Sequence, residues 1–223
     1  MDLSSRFFTY EDPQLKQMDD FYVPDEWWSR GYEYQWCSQF LNKKEIILDA
    51  ACGIEHPFKW YAANRVKKIH AVDADARILE LKTFKKNIEF KHIKLIELEN
   101  NFEPETFDKI FCISVLEHLP RNALDILHQF KRLLKPNGII VMTIDHPFML
   151  TENFVGIVNI AELQFVSEVD YKIPKNAVKG PYNGLKCYSA LLTKDSKNIN
   201  IGINETPEVK PAETKVLEPK ETK

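Results

Sequence analysis

Seven short apolar runs, EIILDA, KIHAVD, HIKLIEL, DKIFCIS, GIIVMTI, LQFVSEV and LKCYSALL, alternate with longer helix-like stretches between Glu45 and Leu192. Runs this short and this apolar predict strands covered on both faces. Between the fourth and fifth lies PRNALDILHQFKRLL, which places Ala123, Leu127, Phe130 and Leu134 on one helical face before KPNG ends it. Strand, helix, strand repetition implies right-handed crossovers, hence a three-layer α/β sandwich with a largely parallel sheet between helices.

At 223 residues the chain has room for one domain with a sizeable core, and two would be cramped. Three parts are expected: an aromatic-rich N-terminal segment (1–30), the α/β domain (31–194) and a tail (195–223) of mostly Glu, Lys, Pro and Thr. Such a tail cannot bury enough apolar surface to order itself, and its two ETK triplets make it a candidate for docking a partner protein. A net charge of -3 argues against nucleic acid as a partner. No basic start, signal-like run or membrane-length apolar stretch is present, so a cytoplasmic protein without membrane contact is expected. Four widely spaced cysteines suggest neither a metal cluster nor a disulfide framework, and they are expected to be reduced and mostly buried.

In sheets of this kind ligands bind beyond the carboxyl ends of the strands. That is where Asp49, Asp73, Glu99, Ser114 and the DHPF stretch from Asp145 fall. Gly53, in the turn after the first strand, lets the backbone approach a ligand closely. Asp73 ends the second strand 20 residues later, the separation at which a carboxylate commonly holds ribose hydroxyls. The alternative is that Asp73 only caps the following segment, ADARILELKTF, a role Asp75 can also fill. Pyrophosphate loops depend on several glycines, and the carboxylate of Glu55 would repel phosphates here, so a nucleoside without phosphates suits the loop better.

ILDAACG, HAVDAD, ETFDKIFCISVLEHLP and FKRLLKPNGIIVMTI, in this order, resemble the motifs of class I S-adenosylmethionine-dependent methyltransferases over roughly Tyr32 to Lys194. The resemblance implies a Rossmann-like, mostly parallel seven-stranded sheet with an antiparallel last strand, supplied by LKCYSALLTK. It implies S-adenosylmethionine as cofactor. By position, Asp49 and Gly53 would border the methionine part, Asp73 would hold the ribose hydroxyls, Glu99 or Asn100 would lie beside the adenine and Ser114 near the sulfonium end; Ala51 and Ala74 count among the cofactor-binding positions with them. Family members usually carry glycine where Ala51 and Glu55 stand. The glutamate would crowd the methionine carboxylate, turn away, or meet the amino group.

The implied reaction is displacement at an activated methyl group, with alignment and removal of the acceptor's proton left to the enzyme. His118, Asp145 and His146 are the candidate bases; each has a structural alternative, His118 as a junction residue and Asp145 as a turn former before Pro147. No amino-group methylation motif follows the fourth strand, which leaves oxygen on a small molecule, or on a sugar or glycan precursor, as the expected acceptor. The aromatic run FYVPDEWWSRGYEYQW could stack against that acceptor or simply pack the entry helix onto the core. Two rival functions are a degenerate member of the fold acting as a partner subunit and a nicotinamide-dependent oxidoreductase. Asp49, Gly53 and Asp73 together weigh against the first, the glycine-poor loop against the second.

Overall fold

The computed structural model describes residues 3–181 and 184–195, so the calls made on the tail beyond Asp195 lie outside the described residues. A two-stranded ribbon, β1 (Gln17–Met18) and β2 (Phe21–Tyr22), precedes helix α1 (Arg30–Ser38). The main sheet is built from β3 (Ile46–Ala50), β4 (Lys68–Asp73), β5 (Ile88–His92), β6 (Phe107–Ile113), β7 (Leu134–His146), β8 (Gln164–Phe165) and β9 (Lys186–Thr193), with helices α2 (Phe58–Ala63), α3 (Ala123–Leu133) and α4 (Thr151–Ile160). Its order is β5-β4-β3-β6-β7-β9-β8. The first five are mutually parallel, β9 runs antiparallel to β7, and β8 runs antiparallel to β9. The strand order reverses between β3 and β6, which opens a crevice at their carboxyl ends.

Alternation along the strands divides the core in two. Leu48, Ile140, Met142, Ile144, Tyr188 and Ala190 join the cluster with Ile126, Leu127 and Phe130 of α3 and Phe154 of α4. Ile47, Ile139, Val141, Cys187 and Leu191 join the opposite cluster, with Tyr34 and Trp36 of α1 and Phe58 and Ala62 of α2. All four cysteines are free and buried. N-terminal residues cover part of the sheet's far edge: Arg6 and Ser189 exchange backbone hydrogen bonds, and Phe7 bridges to Tyr188.

Two stretches depart from the sequence reading. HIKLIEL is not the third strand; that strand is β5, and Leu95–Asn100 is a 3₁₀ turn. Its buried residues are Leu95 and Leu98, the i, i+3 spacing such a turn presents. β5 itself reads IEFKH and lies at an edge, where Glu89 pairs with Lys68 and Lys91, so it lacks an apolar signature. After β4, ADARILELKTF forms only the 3₁₀ turn Ala76–Glu80, since Ile78 is its one buried side chain and Leu79 is exposed. A single anchoring residue does not hold a longer helix in water.

Candidate active site

The turn after β3 has an architecture the sequence only partly disclosed. Ala51 and Gly53 both take left-handed backbone angles, φ 57° and 63°. Glycine suits 53 because L side chains rarely adopt a φ of 63°, and with His56 in its present place a Cβ would also meet the ring Cδ2 at 2.5 Å. Alanine at 51 bears a strain that glycine would not. The missing glycines are replaced by a buried cation: Lys59 Nζ donates to the carbonyls of Gly53, Ile54 and His56 at 2.7, 2.9 and 2.5 Å, which gathers the turn around one point. Burial pulls the Lys59 ammonium pKa below its usual value, against the pull of Cys52, Asp49 and Asp73. Glu55 is exposed and turned away from this interior.

Asp73 holds the turn from β4. It accepts the Gly53 N–H at 2.8 Å and the Asp75 N–H at 2.9 Å, while the capping role on the next turn falls to Asp75, which accepts from the Arg77 N–H. Ala74, Glu99 and Asn100 are exposed, and the Glu99 N–H donates to Gln129 Oε1 of α3 at 2.8 Å. The Ala74 carbonyl accepts from His92 Nε2 at 2.9 Å.

Deeper, α1 is fastened to the crevice by Glu33, which is fully buried. Its Oε2 accepts from Arg30 (2.8 Å), Ser114 Oγ (2.7 Å) and Thr143 Oγ1 (2.5 Å), tying the helix to the ends of β6 and β7. Burial opposes ionisation of Glu33, but Arg30 and the hydroxyl donors outweigh it and hold its pKa below the ordinary value. Ser114, too, has a left-handed backbone (φ 47°), so strained turns stand on both sides of the crevice.

Three further carboxylates crowd this region with oxygens that lack partners: Asp49 Oδ2, Glu117 Oε2 and Asp145 Oδ1. Burial pushes their pKa values up to about 7 for Asp49, about 8 for Glu117 and about 7 for Asp145. Glu117 also accepts the Asp145 N–H at 3.1 Å. Of the other sequence candidates, His118 is exposed with its ring 5.9 Å from that of Phe148, and His146 packs edge-on against Phe7 at 5.7 Å with its pKa pushed down by burial. Thus the inward-facing polar residue of LEHLP is Glu117, not His118. Among the described residues no group of three His, Cys, Asp or Glu side chains is placed to hold a metal.

Arg30, Tyr34, Asp49, Ala51, Cys52, His56, Phe58 and Ile113 line a cavity of about 20 Å³. A volume near this holds a water molecule, not a nucleoside. The His56 ring fills the space above Gly53, tilted at 50° against Trp27 with ring centroids 4.6 Å apart and hydrogen-bonded through Nδ1 to the Tyr34 hydroxyl at 3.0 Å. A larger ligand enters only if that ring swings out. Tyr34 and Trp36 of the aromatic run are buried in the core, Trp27 packs over this loop, and Phe21 and Tyr22 are exposed. Sequence reasoning missed Arg30, Glu33, His56, Lys59, Glu117 and Thr143. Only the helical spacing of Arg30 and Glu33 and the acid within LEH offered any signal for them.

A family model described as a methyltransferase domain matches residues 48–142. An uncharacterized protein of Methanocaldococcus jannaschii is 32% identical over 116 residues, 51% of this chain and 48% of that protein. A ubiquinone biosynthesis O-methyltransferase of Alkalilimnicola ehrlichii is 29% identical over 82 residues, 37% of this chain and 28% of that enzyme. The chain thus spans about half the length, or less, of these curated relatives. Among solved structures, the Burkholderia thailandensis 1,6-didemethyltoxoflavin-N1-methyltransferase, with bound 1,6-didemethyltoxoflavin and S-adenosylhomocysteine, shares the fold with a TM-score of 0.58 at 16% identity, over 77% of this chain and 82% of that one.

Proposed function

We propose that this chain, a member of the class I methyltransferase family through its residues 48–142, transfers a methyl group from S-adenosylmethionine to a hydroxyl of a small molecule. The observation that carries the reading is the set of unpartnered, buried carboxylate oxygens of Asp49 and Asp145, at the ends of β3 and β7 around the crevice. Oxygens of this kind await a cation or a donor. The cofactor carries an ammonium and a sulfonium, so its charge suits the donor set. Asp49 would face the methionine end, and Asp73 would accept ribose hydroxyls on the lone pairs its backbone partners leave open. Ala51 and Gly53 would border the methionine part, Ala74, Glu99 and Asn100 the adenosine, and Ser114 the sulfonium end. His56 and Trp27 would move to admit it.

When bound, S-adenosylmethionine supplies an electrophilic methyl group. The chain's own task is to orient the acceptor and take its proton. Asp145, whose pKa lies at about 7, is the best placed of the three candidate bases, because a base poised near the working pH combines availability with driving force. His118 and His146 would then shape the acceptor side. An O-methyltransferase among the relatives is in keeping with this reading, while the fold is shared with an N1-methyltransferase, so the acceptor atom rests on the site's own groups. Sugar or glycan precursors and a partner on the tail stand as finer proposals without a supporting contact. Among the described residues no helix is long and apolar enough to cross a membrane.

The test is calorimetric titration of S-adenosylmethionine and S-adenosylhomocysteine, with a nicotinamide dinucleotide as control. Saturable micromolar binding, on the order of -8 kcal/mol, that Asp73→Ala weakens more than tenfold is expected. A folded protein that binds neither adenosyl compound would exclude the reading and favour the partner-subunit alternative.

A further inference from the structure

We infer that a groove beside the candidate base binds the hydrocarbon part of the methyl acceptor, so that the acceptor is a hydroxyl compound carrying an apolar chain. This inference rests on the transferase reading and narrows its substrate class. The groove has a volume of about 500 Å³, within the range of roughly 300–1,000 Å³ common for small-molecule sites. Its walls are the segments that follow β6 and β7, the same two that carry Glu117 and Asp145: Pro120 on one side, Phe148 and Leu150 on the other. Helix α4 closes it with Gly156, Ile157 and Ile160.

Phe148 (53%), Leu150 (44%) and Ile160 (64%) are large apolar side chains left in solvent, and Glu152 is the one charged residue of the lining. Apolar exposure concentrated in a concave place marks a binding surface. Phe148, in the wall of the groove, also meets the ring of the candidate base His118, with centroids 5.9 Å apart.

Gly156 adds an independent sign. It lies inside α4, where glycine is the least favourable residue except proline, yet a Cβ built on it meets nothing within 4 Å. Neither the packing nor the helix requires glycine there. The space beside the helix at this point of the groove is open.

The experiment uses the full chain and a series of para-alkylphenols with side chains of one to eight carbons, titrated with and without S-adenosylhomocysteine. In the wild type each added methylene should tighten binding by about three- to fourfold until the groove is filled. Gly156→Trp should abolish this dependence on chain length while holding S-adenosylhomocysteine affinity within about twofold. Gly156→Ala, which adds one methyl group and favours the helix, should keep it and confirm that the position itself is tolerant. A flat series in the wild type, or a Gly156→Trp protein that is folded and still responds to chain length, would overturn the proposal. So would a wild-type dimer in sedimentation that Gly156→Trp converts to monomer, since the groove would then be an interface between copies. Dependence on chain length without any S-adenosylhomocysteine binding would uphold the groove's ligand class and remove the transferase reading.

Discussion

Glu117→Gln should stabilise the protein at neutral pH and change nothing in acid. The side chain is 3% exposed, its Oε1 accepts the Asp145 N–H, and its Oε2 has no partner. Burial raises its pKa from 4.5 to about 8, with Asp145 and Glu33 adding to the rise. The unfolded chain therefore releases this proton near pH 4.5, while the folded protein keeps it to about pH 8. Because the folded pKa is the higher one, Glu117 is without penalty below pH 4.5 and costs stability progressively as pH rises toward 8. At about 1.4 kcal/mol per pH unit the cost reaches about 2 kcal/mol at pH 6 and about 3 kcal/mol at pH 7, upper figures because the neighbouring acids share the effect. Glutamine keeps the acceptor for Asp145 and never ionises. Urea unfolding of both proteins at pH 4.5, 6 and 7 should give a stability difference that starts near zero and widens in favour of the variant. A difference that does not vary with pH would refute the burial argument.

Three further outcomes follow from the same site. Asp145→Asn should lower kcat by about a hundredfold or more with S-adenosylhomocysteine affinity unchanged, and the wild-type rate should rise with pH through an inflection near 7 as the base loses its proton; a rate profile identical in the variant would remove Asp145 as base. Ala51→Gly relieves a left-handed alanine, a gain of about 1–2 kcal/mol offset in part by the flexibility of glycine in the unfolded chain; thermal unfolding should show a neutral to slightly stabilised protein, and clear destabilisation would show that the methyl group matters more than the backbone. Lys59→Met strands three carbonyls at once and should cost about 2–4 kcal/mol, with weaker S-adenosylhomocysteine binding in the same protein; calorimetry on a variant that is folded but binds normally would show that the lysine does not shape the cofactor turn.

The sheet was legible because its central strands are buried on both faces, which forces uninterrupted apolar runs such as EIILDA and GIIVMTI. β5 was not, because an edge strand carrying Glu89 and Lys91 has no such need. The turn after β3 was legible where it depends on backbone position: Gly53 follows a strand end and Asp73 follows it by a fixed interval, so the hydrogen-bonded pair they form could be found by counting. Lys59, Glu33 and Glu117 escaped because their roles arise from what the fold brings together. Glu33 meets Ser114 and Thr143 across 81 and 110 residues of chain, and no local pattern encodes such a meeting. His56 was hidden for another reason. Beside Glu55 it reads as a break in a glycine pattern, whereas in three dimensions the glutamate points to solvent and the histidine occupies the pocket.

The crowded acids also bear on whether the chain is an enzyme or a retired one serving as a scaffold. Asp49, Glu117 and Asp145 each bring a buried oxygen without a partner, and each has its pKa lifted by burial, so each lowers stability at neutral pH. A scaffold gains nothing from such groups, and neutral residues of similar size would make the same fold more stable. A site that receives a cation and a hydroxyl gains from all of them, because a bound ligand supplies the missing partners and the fold's deficit becomes binding energy. Saturating S-adenosylmethionine, which brings the sulfonium cation to the reacting centre, should therefore shrink the advantage of Glu117→Gln at pH 7. An advantage that stays the same size with the ligand bound would mean that Glu117 lies outside the reacting centre.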